Sequence, residues 1–240
     1  MIISFPSTIA ISLFFIGWTS SPQKAAEIAP LLPLSVGIIM IFATIYIYLS
    51  RIKMSKIYSI IFSAIISLSV WILASISFAL FSTSRLPLTL LGYIILTSIA
   101  YYFLTMNPGG KSVHKPLKFS IGEKIGRAAF AGFFIALAVF LSKTSGVFWG
   151  GIFSGFPAVY LSTLLIFHWH YDSSFLFKTY KNSPLGSIPL TVYPVIVVYA
   201  FPKFGIIIGT VLAYGGSLIS FLILTTMSKH PKNASIPELD

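Results

Sequence analysis

The chain has 240 residues, of which 56% are apolar, 16% aromatic and only 9% charged. A soluble domain carries roughly a quarter of its residues as charges, so most of this surface must meet lipid rather than water. The net charge of +11 would suggest nucleic acid in a soluble protein. Here the cations stand between apolar segments, where they orient spans and meet anionic headgroups, so the partner is the lipid bilayer and no nucleic acid is expected. The absence of cysteine excludes disulfides, thiolate metal sites and a thiol nucleophile.

A span needs about 20 apolar residues. Eight apolar segments follow in order, at residues 2–18, 31–49, 57–81, 86–104, 125–141, 146–169, 188–201 and 204–227. No Lys or Arg precedes the first, so it lacks the basic region of a signal peptide and reads as a span. The connection 106–124 holds Asn107-Pro108-Gly109-Gly110, a turn that divides the chain nearly in half. Gly110-Lys111-Ser112 has the look of a phosphate loop, but the first glycine of that pattern would fall on Thr105 and no strand precedes it. The second, fourth and sixth loops and the tail carry twelve Lys or Arg, against four (Lys24, Arg85, Lys143, Lys203) in the others. The positive-inside rule therefore puts both termini in the cytoplasm. The expected fold is all-α: a polytopic membrane protein of about eight transmembrane helices.

The chain also resembles itself at a spacing of 151 residues. Phe5-Pro6 matches Phe156-Pro157, Leu13 matches Leu164, Trp18 matches Trp169, Pro33-Leu34 matches Pro184-Leu185 and Tyr48 matches Tyr199. Five spans separate each matched pair, so the copies cross the membrane in opposite directions, as in many secondary transporters. The domain reading is 1–106 for the first repeat plus a linking fourth span, 107–124 for a cytoplasmic loop, 125–228 for the second repeat and 229–240 for a cytoplasmic tail. The fifth span has no counterpart before Met1, so either the first copy lacks that helix or the chain starts inside a longer product.

The run Gly150-Gly151-Ile152-Phe153-Ser154-Gly155-Phe156-Pro157, with the small and aromatic residues after it, resembles the small four-span prokaryotic membrane proteins of unknown function that include the GlpM-like group. The resemblance covers about 125–227 well and 2–81 more weakly. It implies two such modules fused as an inverted tandem in a cytoplasmic (inner) membrane, and it brings no chemistry with it.

Candidate site residues cluster at the paired prolines. A proline inside a helix leaves a carbonyl unpaired, which in lipid needs another group or a cavity water. Broken helices at matching places in two repeats point to a transporter's binding site. The candidates are Pro6, Ser7, Thr8 and Ser12, with Ser4 beside them, in one copy and Ser154, Gly155, Pro157, Tyr160, Ser162 and Thr163 in the other; the plainer reading is a kink whose hydroxyls satisfy the backbone. Gly151 with Gly155, and Gly205 with Gly209, read as close helix packing. Ser59, Ser63, Ser67, Trp71 and Ser75 form a stripe that hydrogen-bonds to neighbours or faces a pathway. His168-Trp169-His170-Tyr171-Asp172 reads as an interfacial belt rather than a metal site, because ligands two apart on a helix diverge.

No charged residue falls inside a segment away from its ends, which argues against a carboxylate proton relay. No nucleophile, base or metal set suggests an enzyme, and no cofactor is expected. The first reading is a small-solute transporter or permease for a neutral or anionic small molecule, its site between the repeats. The second is a non-transporting scaffold or lipid-binding subunit. Oligomerisation is open in both.

Overall fold

In lipid every backbone polar group must bond within its own segment, which long apolar runs achieve only as helices. The computed structural model describes residues 6–80, 85–106 and 120–229, and among these all regular structure is helical. The chain forms α1 (Ser7–Thr19), α2 (Pro22–Ile28), a 3-10 turn (Ala29–Leu31), α3 (Leu32–Leu49), α4 (Lys56–Leu80) and α5 (Leu86–Met106). It continues with α6 (Ile121–Thr144), α7 (Val147–Ser154), α8 (Ala158–His170), α9 (Ser173–Tyr180), α10 (Ser183–Gly186) and α11 (Ile188–Lys229). Six stretches are long and apolar enough to cross a membrane, the last being Ser183–Met227, while Thr8–Thr19 is apolar but shorter. The turn at 107–110 and the basic residues Lys111, Lys115 and Lys118 lie outside the described residues, as do Ser4 and Phe5.

The last stretch is a hairpin. Gly205 has φ 76° and ψ 179°, a region open essentially to glycine alone, and the helix folds back there. A Cβ on Gly209 would stand 2.6 Å from Phe201 Cδ1, one on Gly216 would run into Ile196, and Ser217 Oγ donates to the Pro189 carbonyl at 3.1 Å. Gly205 therefore makes the turn, and only Gly209 of that expected pair serves packing. Gly146, with φ 88°, makes the corresponding sharp turn between α6 and α7.

Two apolar cores hold the bundle. One gathers the C-terminal half of α3 with α4, α5, α8 and α9 through Phe42, Tyr46, Trp71, Leu104, Leu164 and Phe177. The other gathers α1, α2 and the start of α3 with α11 through Ile9, Leu13, Ile28, Leu32, Tyr193 and Phe201. Thus α1 and α2 pack on the late hairpin, and α8 packs on the early helices α3 and α4.

Element boundaries recur at the 151-residue spacing. Both α1 and α8 have 13 residues and follow a proline of similar backbone shape, Pro6 at φ −73°, ψ 60° and Pro157 at φ −77°, ψ 40°. Ser21 caps α2 by accepting from the Lys24 N–H, and Asp172, 151 residues later, caps α9 by accepting from the Phe175 N–H. The turn between α3 and α4 matches the turn at Gly205 in position. Leu13 and Leu164 are each completely buried, while Trp18 and Trp169 both face outward at helix ends.

Candidate functional site

The α7–α8 break is a true interruption of the helix. The N–H of Gly155 is taken by the carbonyls of Gly151 and Ile152, the Ala158 N–H turns back to Phe156 at 2.8 Å, and α8 starts with the Leu161 N–H bonded to Pro157. No side chain caps α8, so its positive N-terminal end opens into the protein at the break. Gly155 is required by close approach: a Cβ there would lie 2.6 Å from Ser35 Cβ on α3. Phe156 stacks on Phe134 of α6 and meets Trp71 of α4 edge-on at 5.1 Å between ring centres.

The face of α4 opposite the break carries the serine stripe, and it points inward. Ser59, Ser63, Ser67, Trp71 and Ser75 are all buried. Ser67 donates to the Ser63 carbonyl at 2.6 Å, the neighbourly role expected of such a residue. Ser63 Oγ, Trp71 Nε1 and, on α7, Ser154 Oγ have no hydrogen-bond partner among the described residues. Beside them Ser35, Ser75, Gly151 and Phe148 line a cavity of about 30 Å3, enough for water.

Towards the end where α3 stops and α4 starts, the seam becomes strongly polar. The Tyr46 hydroxyl hydrogen-bonds His168 Nδ1 at 3.2 Å, and Ser59 Oγ lies 3.5 Å from Nε2. Arg127 donates to Thr163 Oγ1 at 2.9 Å. Tyr180 neighbours Thr163, Arg127, Tyr160 and Tyr46, and burial pushes its phenol well above the ordinary value, which keeps it a donor. His170, pointing away from His168, bonds Glu123 at 3.1 Å, so the two imidazoles do not converge. At the positions 151 residues away stand Ile9 for Tyr160, Gly17 for His168, Ala29 for Tyr180 and Val197 for Tyr46. The packing scheme therefore does not itself demand these polar groups.

The expected site residues divide into two groups. Pro6 is buried and stands before α1 rather than within a helix, and Ser12 is buried on α1. Ser7 opens α1 and Thr8 is half-buried beside it. This group lies against α6, α7 and α11. Ser154, Gly155, Pro157 and Tyr160 are buried at the break, whereas Ser162 and Thr163 turn back to the Val159 carbonyl at 3.2 and 2.6 Å. The helix of the first group, α1, packs on α6 and α7, and α8, which follows the second group's break, packs on α6.

Four further participants, Arg127, Tyr46, Tyr180 and His168, escape a reading by apolar segments. Arg127 lies near the start of the fifth expected segment, 125–141. A capping box of Ser120 and Glu123 starts α6 at Ile121, which places Arg127 in its second turn.

Residues 124–227 match the family described as Protein of unknown function (DUF3147). This similarity lies in the second half of the chain and agrees with an uncharacterised family. No curated protein matches the chain, and no solved structure matches it.

Proposed function

We propose that this is a multi-pass protein of the cytoplasmic membrane which passes a small neutral or anionic solute along the seam between α3–α4 and α7–α8, without transforming it. The observation that carries the reading is the set of buried groups without partners, Ser63 and Trp71 on α4 and Ser154 on α7, the helix that ends at the break. Each such group costs about 1–3 kcal/mol when left unpaired, and a buried indole N–H usually finds a partner. A seam that opens to water or solute accounts for that expense; a seam built only for packing does not.

Supporting the two-copy architecture are the prolines that precede α1 and α8, the recurring caps and turns and the exchange of packing partners between the halves. In this reading Ser154, Gly155, Pro157, Tyr160, Ser162 and Thr163 contribute to the seam, while Pro6, Ser7, Thr8 and Ser12, at α1 against α2, α6, α7 and α11, do not line it. The uncapped end of α8 and Arg127 favour a neutral or negatively charged solute over a cation. The basic end, with Arg51, Lys53, Lys56 and Lys178, would face the cytoplasm.

The test uses the natural lack of cysteine. Single Cys residues at Ser63 and Ser154 are probed with a membrane-impermeant thiol reagent in intact cells and inverted vesicles, with Ser145 and Lys178 as surface controls on opposite faces. The reading expects both seam positions to react, each from at least one side. If neither reacts while both controls do, the seam is dry packing and the chain is a scaffold.

A further inference from the structure

A second group of hydroxyls lies apart from the seam, where α5 meets α10 and α11. The Tyr93 phenol on α5 is 3.0 Å from Ser187 Oγ. The hydroxyls of Thr97 and Thr191 lie close to the same phenol but without hydrogen-bonding geometry, and Ser183 stands one turn before Ser187 on the same face. Ser183, Ser187, Thr191 and Tyr93 are all more than nine-tenths buried. Ser183 Oγ, Thr191 Oγ1 and Thr97 Oγ1 lack partners among the described residues. Two of the buried unpartnered groups, on Thr97 and Thr191, thus stand beside one tyrosine, and the third, on Ser183, stands a turn before its hydrogen-bond partner Ser187.

The fold does not require hydroxyls here. At the positions matching Ser183, Ser187 and Thr191 the first copy has Leu32, Val36 and Met40, each fully buried. The same helical face can be wholly apolar, yet in the second copy it carries hydroxyls at three successive turns, of which Ser187 and Thr191 stand beside Tyr93 of α5.

We propose that Tyr93, Thr97, Ser183, Ser187 and Thr191 form a site for a dehydrated monovalent alkali cation. All five side chains offer oxygen lone pairs. Residues 86–106 and 182–202 contain no charged side chain, so no fixed positive charge favours an anion, and no carboxylate supplies the charge that a divalent ion asks of its ligands. The backbone adds negative potential. Ser187 closes the C-terminal end of α10, where the Pro184 carbonyl takes its hydroxyl at 2.7 Å. Pro194 withholds an N–H from the Leu190 carbonyl, next to Thr191. Half-helix C-terminal ends and freed carbonyls are the usual ligands of Na+ within a bilayer. The site does not depend on the seam carrying a solute.

The full chain, purified in detergent, is unfolded by heat in NaCl, KCl or choline chloride at equal ionic strength. A saturable rise of about 5 °C in Na+ or K+ over choline is expected, since a ligand bound only by the folded state stabilises it. Thr191→Val keeps the side-chain shape and removes an unpaired hydroxyl. This variant should match or exceed the parent in choline and lose the alkali response, while Ser183→Ala should weaken the apparent cation affinity roughly tenfold. Equal midpoints for the parent in all three salts, as a trapped water would give, overturn the proposal. So does an undiminished cation response in both variants, which would put the cation elsewhere.

Discussion

At the scale of single residues, the bond between Tyr46 and His168 ties α3 to α8 across 122 positions of sequence. Both side chains are buried, so removing either leaves the other's polar atom in an apolar surrounding, at about 1–3 kcal/mol. Tyr46→Phe and His168→Leu should each lower the unfolding midpoint in detergent. The double variant should cost less than their sum, with a coupling of about 0.5–3 kcal/mol; strictly additive losses would show that the pair does not act as a unit. No local pattern announces such a pair. His168 looks like its neighbours in an aromatic run, and only the meeting of α8 with α3 and α4 separates it from the exposed Trp169 and His170. Arg127 was legible by contrast: Ser120 followed by Glu123 is a helix-start signal, and it sets the arginine in the second turn of α6 rather than at the very start of the segment.

At the scale of elements, apolar length located the long helices, because in lipid apolarity alone selects them. It could not see α2 and α9. Each is a short helix capped by Ser21 or Asp172, and α9 buries Leu176, Phe177 and Tyr180 while Lys178 stays exposed. Such a helix averages out in any window as wide as a span. The break before α8 was visible as Pro157, but its depth depends on Gly155 lying against Ser35, a contact between distant segments. Pro157→Ala supplies an N–H that can reach the Phe153 carbonyl and extend α7 towards α8. Hydrogen exchange at residues 155–158 should slow, and thiol labelling of a Cys at position 154 should fall, if the break gives access to the seam. Labelling that is unchanged despite a slowed exchange would separate the break from access.

For the whole molecule, the crossed packing is the feature that a self-comparison of the sequence cannot supply. In the first half α1 and α2 rest on the hairpin of the second half, with Gly17 against Phe201 and Ile206, while α8 of the second half rests on α3 and α4 of the first, with His168 against Tyr46 and Ser59. Each half covers apolar surface of the other, so neither core closes without both. The proposed inverted arrangement requires equivalent positions to lie on opposite faces of the membrane. Gln23 on α2 and Ser174 on α9 are such a pair, 151 residues apart and each in the first turn of its short helix. Single Cys residues there should react with an impermeant reagent from opposite sides, Gln23→Cys in intact cells and Ser174→Cys in inverted vesicles. Reaction of both from one side would make the copies parallel, break the twelve-to-four partition of charge and remove the basis for a site between inverted halves.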